Sequence, residues 1–135
     1  RNIATKKMAE ILGLSNLIVN SEIVTIKNGD DKKVGVLMDE AAGISFPEFK
    51  SKEDIGISPC FQREINDLQI LDTTIMQMDR YNLNYNIKIL ENDVAIGIIA
   101  YDNDCSFNLN TDLTRSLGCV PALINKDEKI DIPRI

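Results

Sequence analysis

Five apolar residues, Ile65, Leu68, Leu71, Ile75 and Met78, follow one another at spacings of 3, 3, 4 and 3. That is the period of one helix face, so a core helix is expected from about Gln62 to Met78. A buried stripe needs a core to sit in, and 135 residues at 44% apolar content suit one modest domain and argue against intrinsic disorder. The formal net charge of −6 argues against broad electrostatic binding to DNA, RNA or anionic lipid. There is no His, which removes imidazole-based triads, His-ligated zinc and histidine pH switches. Acid–base chemistry must then rest on carboxylates, Lys, Tyr or Cys. Cys60, Cys105 and Cys119 form no CxxC spacing, and three cysteines cannot all pair internally, which favours a reduced, cytoplasmic setting. No apolar run approaches the roughly 20 residues that span a bilayer, and the N-terminus has no signal-peptide core. A helical pattern begins almost at Arg1, so the chain reads as a fragment excised from a longer protein.

Along the chain, Ile3, Met8, Ile11 and Leu12 recur near helical spacing and Gly13 stands at a helix stop, giving an amphipathic helix over residues 2–12. The β-rich runs Ile23 to Lys27 and Val34 to Met38 flank the turn cluster Asn28, Gly29, Asp30 and Asp31, and read as a hairpin. From Ala41 to Pro59 the pattern loosens around Gly43, Pro47, Gly56 and Pro59, so a surface loop with little regular structure is expected there. A second hairpin follows the core helix, with Ile87 to Leu90 and Val94 to Ala100 around Glu91, Asn92 and Asp93. The tail, with Pro121 and Pro133, reads as loop or short helix.

Two polar clusters bracket that second hairpin: Asp79, Arg80, Asn82 and Asn84 before it, and Asp102, Asn103 and Asp104 after it. Antiparallel strands bring the two ends together. Carboxylate and amide oxygens at one mouth make a hard-oxygen site suited to Mg²⁺, and metal-assisted phosphoryl transfer uses such a site. The plainer reading is that Asp and Asn only end helices and make turns. Cys105 stands beside the acidic cluster, where carboxylates raise a thiol pKa and no His is present to activate it, so it reads as a packing residue.

The stretch ILDTTIMQMDRYNLNYNI, followed by AIGIIAYDNDCSF, resembles the catalytic and metal-binding loops of the atypical kinases related to phosphatidylinositol 3/4-kinases and actin-fragmin kinase, a group that includes bacterial effector kinases. In that group a helix ends in a D-R-H-x-x-N element, a hairpin follows, and an acidic element takes the place of the DFG of ordinary protein kinases. By this resemblance Asp79 corresponds to the catalytic Asp, Asn84 to the metal-binding Asn and Asp102 to the metal-binding Asp, with Asp104 as a further metal ligand or a loop cap. ATKKMAEILGLSNLIVNSEIV is similar to the helix and strand that follow the phosphate-holding lysine. VGVLMDEAAGISF resembles the strand entering the adenine-binding hinge, whose backbone groups would come from around Leu37, Met38 and Asp39.

The resemblance covers roughly residues 2–107 and implies an α+β, protein-kinase-like bilobal fold: residues 1–40 as the end of the small lobe and the hinge, 41–135 as part of the large catalytic lobe. It implies an ATP- and Mg²⁺-dependent phosphotransferase moving a γ-phosphate to a hydroxyl on a protein or lipid, with the remainder of the kinase fold missing. The chain departs from the pattern in three places. Tyr81 replaces the His, Asn2 stands near the place of the acidic residue of the first helix, and the phosphate-holding lysine would lie before Arg1. These departures favour the alternative, a catalytically silent kinase-like module that binds nucleotide or a protein partner. A third reading keeps the fold but transfers AMP or activates a carboxylate. Heavy use of Ile and Asn, 20 and 13 residues, suits an AT-rich bacterial genome and so an effector acting in a host cell.

Overall fold

The computed structural model describes residues 1–107. The readings made for the tail, including Cys119, Pro121 and Pro133, lie outside the described residues. Helix α1 (Asn2–Ile11) ends where Gly13 predicts. Gly13 takes φ 71°, its N–H donates to Glu10 O, and Leu14 N reaches back to Ala9 O at 2.7 Å, the two bonds of a Schellman cap. The buried face of α1 is Thr5 and Ala9, with Met8 and Leu12 packed beside them. Ile11, expected on the apolar stripe, points outward and is 76% exposed. A 3₁₀ turn (Ser15–Leu17) then leads the chain along the end of the main sheet, where Ile18 bridges Ala100 in parallel.

Strands β1 (Ser21–Asn28) and β2 (Asp31–Met38) pair antiparallel from Ser21↔Met38 to Asn28↔Asp31, extending the expected hairpin to both ends. Gly29 opens the two-residue loop at φ 62°, a conformation that costs glycine nothing. This hairpin is a sheet of its own, and Ile23, Val34 and Val36 on one face of it are exposed.

The segment expected to be irregular carries β3 (Ile44–Ser45), α2 (Phe46–Ser51) and β4 (Gly56–Ile57). That expectation is corrected because two-residue strands have no periodicity of their own: their partners define them. β3 lies antiparallel to β5 (Tyr85–Ile89) through Ile44↔Ile87, and β4 lies parallel to β6 (Val94–Ala100) through Gly56↔Val94. Ser45 caps α2 by accepting from Glu48 N, and Phe46 is buried edge-on against Tyr85 with ring centroids 6.0 Å apart.

Helix α3 (Pro59–Thr74) starts and stops earlier than its apolar spacing implies. Ser58 caps it by accepting from Phe61 N at 3.1 Å, and Pro59 opens the first turn. Its end is also a Schellman cap, with Gln77 N on Asp72 O at 2.8 Å and Met76 N on Thr73 O at 3.2 Å. Here Met76, not glycine, takes the left-handed position at φ 50°. Met78 therefore lies in the following loop, while Ile65, Leu68, Leu71 and the cap residue Ile75 are fully buried.

Strands β5 (Tyr85–Ile89) and β6 (Val94–Ala100) form the second hairpin and complete a four-stranded sheet of order β3-β5-β6-β4. The apolar stripe of α3 covers this sheet, and Leu17, Phe61, Ile65, Leu68, Ile87 and Ile98 share one core with Ala9 of α1. Where β4 ends, Glu64 of α3 accepts from the Ile98 N–H at 2.8 Å and from Lys88 Nζ at 3.3 Å. Gly97 makes room for it, since a Cβ there would collide with the Glu64 carboxylate. The described residues thus form an α+β fold, and no helix among them is long and apolar enough to cross a membrane.

Leu68→Ala should destabilise the protein by about 2–5 kcal/mol, because it opens a cavity between α3 and the sheet. Ile26→Ala, on the 62% exposed hairpin position, should change stability by less than about 0.5 kcal/mol. Urea unfolding of both variants checks the contrast.

Candidate functional site

The pair Tyr85↔Ala100 closes the open end of the β5–β6 hairpin, and Tyr101 N continues the ladder by donating to Asn84 O at 3.0 Å. The loop after α3 (residues 75–84) and the loop after β6 (101–107) therefore leave the sheet side by side. They are stitched along their length: Gln77 Nε2 donates to Asp102 O, Met78 N to Cys105 O, and Phe107 N to Ile75 O at 2.6 Å. Asp79, Asn84, Asp102 and Asp104 all belong to these two loops.

Arg80 holds the loops together from beneath. Its side chain has no exposure, and all five of its N–H donors are used. Nε and Nη2 grip Asp72 of α3 in a bidentate pair at 3.0 and 2.9 Å. Nη1 donates to the backbone oxygens of Asn84 and Tyr101 at 3.1 and 2.9 Å, one from each loop. Nη2 also reaches Asn103 Oδ1. Burial pushes the Asp72 carboxyl up, with the Arg80 guanidinium pulling it back down. The sequence grouped Arg80 with the metal-facing cluster, whereas it faces the core. The residues sequence reasoning missed are its partners Asp72 and Asn103, together with the fully buried Gln77, whose Oε1 accepts from Asp79 N. Asp72 had a signal, since it falls beside Leu71 on the buried face of α3. Asn103 had only its place between two carboxylates.

Asn84, itself buried, donates through Nδ2 to Asp79 O at 2.6 Å, fixing the Asp79–Asn84 turn. Its Oδ1 accepts no hydrogen bond among the described residues. Asp102 sits at φ 53°, a conformation Asp and Asn tolerate better than other side chains. Its carboxyl is pushed up, first by desolvation against the loop and then by the charges of Asp104 and Asp79 and a hydrogen bond to Asp104, with Arg80 opposing. The Cys105 thiol is pushed up as well, by burial and then by Asp104 and Asp79, which makes it a poor nucleophile. Tyr81, which stands where the resemblance would place a His, lies at the surface, 46% exposed.

Next to this acidic mouth is a cleft of about 360 Å³. Val19 forms part of it, Met38, Asp39 and Glu40 line it where β2 leaves the hairpin, and Ala41 of the following connection, Asn86 of β5 and Tyr101 just after β6 complete it. Asn86 Nδ2 donates to Ala41 O at 3.0 Å and its Oδ1 accepts from Tyr101 Oη at 3.3 Å. Tyr101 thus lines the cleft while the next residue, Asp102, belongs to the acidic mouth. Leu37 does not line the cleft; it pairs with Glu22 in the hairpin and is 54% exposed.

The donors at the mouth are hard oxygens carrying more negative charge than the protein neutralises, which is the chemistry that suits Mg²⁺. Among the described residues no three His, Cys, Asp or Glu side chains are grouped to hold an ion by themselves. An ion held here would need oxygens beyond these carboxylates, such as the Asn84 amide. No protein-family model matches the chain, and no curated protein matches it significantly.

Asp72→Asn should cost about 3–5 kcal/mol in urea unfolding, because it leaves the Arg80 charge buried without its partner. Asp102→Asn should do the reverse at neutral pH and raise the midpoint of thermal unfolding, since it removes a carboxylate whose charged form the fold disfavours. The folded-state pKa of Asp102 lies above its unfolded value, so the wild type recovers this stability by protonation as pH falls through that folded value. The advantage of Asp102→Asn should accordingly shrink on acidification, which thermal melts between pH 7 and pH 4 will read.

Proposed function

We propose that the chain is part of an atypical kinase related to the phosphatidylinositol 3/4-kinases and actin-fragmin kinase, and that it takes part in ATP- and Mg²⁺-dependent phosphoryl transfer to a hydroxyl. The observation that carries this reading is the convergence of Asp79, Asn84 and Asp102 on two loops stitched side by side, next to a cleft that begins where β2 ends. In this reading residues 1–40 end the small lobe and form the hinge, and 41–107 belong to the large lobe. The base of ATP occupies the cleft between Met38, Asp39 and Tyr101, which directs its phosphates toward Asp102. Asn84 and Asp102, with Asp104 beside them, hold Mg²⁺, whose chemistry here is to neutralise charge on the phosphate oxygens. Asp79 accepts or orients the proton of the attacking hydroxyl. Catalysis by such a set is positioning and charge stabilisation, and it needs no histidine.

A specific observation favours the second reading, a silent module that binds nucleotide or a protein. The lysines of α1 are engaged away from the mouth: Lys6 Nζ bonds Asn20 Oδ1 and Ser21 O, and Lys7 pairs with Glu10 at 2.8 Å. Neither stands in for a phosphate-holding lysine.

Calorimetric titration of ATP into the chain, with and without Mg²⁺ and in parallel with Asp102→Ala, separates the readings. Phosphotransfer predicts binding that Mg²⁺ strengthens and that Asp102→Ala weakens by more than about tenfold. Binding indifferent to Mg²⁺ and to Asp102 assigns the silent module, and no binding by the folded chain overturns the cleft assignment.

A further inference from the structure

Asn103 lies between the two carboxylates of the acidic turn and is itself 1% exposed. A buried residue in an exposed, mutually repelling turn needs anchors, and it has two on different elements. Arg80 takes its side-chain oxygen from the core side. Its backbone N–H is taken by Asn2 Oδ1, at the start of α1, at 2.7 Å. Three residues along the same face of α1, Thr5 Oγ1 lies 2.8 Å from Ser106 Oγ, and that hydroxyl donates to Asn103 O at 2.6 Å. Arg1 Nη1 adds a bond to Asp104 O at 2.9 Å. One helix end thus touches the turn at three successive points, Asn103, Asp104 and Ser106.

We infer that Asn2, supported by Thr5, is a positioning residue: it clamps the turn that carries Asp102 and Asp104 to α1 and so sets the metal affinity of the mouth. This rests on the phosphotransfer reading for the metal, but the clamp itself does not. The choice of residue fits the electrostatics. Asp102 already feels Asp104 and Asp79, and an amide oxygen accepts the Asn103 N–H without adding a further negative charge to the turn. It also gives Asn2 a role that does not involve pairing with a lysine. A consequence is that displacing α1 lowers metal affinity without touching a metal ligand.

The test uses the full 135-residue chain and reads hydrogen exchange at the Asn103 amide together with Mn²⁺ affinity in the presence of ATP, measured from the free-Mn²⁺ resonance. Asn2→Ala should speed exchange at Asn103 at least about tenfold, in keeping with the loss of a buried hydrogen bond. It should weaken Mn²⁺ about tenfold, the usual effect of removing an outer-shell partner, while ATP affinity in EDTA stays unchanged. Thr5→Val, which keeps the buried shape, should give a smaller change in the same direction. Asn2→Asp should restore slow exchange, because a carboxylate oxygen accepts the same bond. Unchanged Asn103 exchange in Asn2→Ala overturns the clamp, and faster exchange with unchanged Mn²⁺ affinity overturns its role in positioning. Absence of Mn²⁺ binding by the wild type overturns the phosphotransfer reading and the metal half of this proposal, whereas faster Asn103 exchange in Asn2→Ala upholds the clamp in that case too.

Discussion

The candidate site depends on one buried cation. Arg80 has no exposed surface, and its five donors go to α3, to the backbone of both loops and to the Asn103 side chain. An uncompensated charge at that depth would be prohibitive, so the fold is committed to supplying all five acceptors in one geometry. Two of those acceptors, Asn84 O and Tyr101 O, face each other across the mouth of the β5–β6 hairpin. Fixing them fixes where both loops begin. A lysine would bring three donors and no planar fork, so it could reproduce neither the bidentate grip on Asp72 nor the reach to both loops.

That arrangement also bears on how Asp102 tolerates its acidic neighbours. Arg80 lies under the acidic turn and opposes the repulsion that Asp102 feels from Asp104 and Asp79. The Asp102 carboxyl is nonetheless pushed up, first by desolvation and then by its acidic neighbours. A mouth left with surplus negative charge is less stable than a neutral one and better prepared for a cation.

Much of the architecture was legible because local chemistry and tertiary structure agree. Both hairpins appear where β-branched runs flank turn clusters, and α1 ends at the glycine that its cap requires. Helix α3 was overextended to Met78 for the complementary reason: its end uses the same Schellman bonds with Met76 in the left-handed position, so no glycine announced it. The strands β3 and β4 leave no local pattern because they exist only by pairing with β5 and β6, contacts across tens of residues, whereas α2 does carry a local signal, the Ser45 cap with Glu48 three residues on and Pro47 in the first turn. At the site, the convergence of the two loops followed from hairpin geometry. The inward turn of Arg80 did not, since an arginine beside Asp79 reads as a surface charge until Asp72 is seen eight residues upstream on the buried helix face. The partnership of Asn2 with Asn103 joins positions 101 residues apart and was beyond any local reading.

The most direct measurement is to map Mn²⁺-induced line broadening of backbone amide resonances in the ATP-saturated protein at substoichiometric metal. If the loops pinned by Arg80 form one hard-oxygen mouth, the amides of Asn84, Asp102, Asn103 and Asp104 broaden first, ahead of the acidic residues at the hairpin tip, Asp30 and Asp31. Broadening led by Asp30 and Asp31, or spread evenly over the acidic surface, would contradict it.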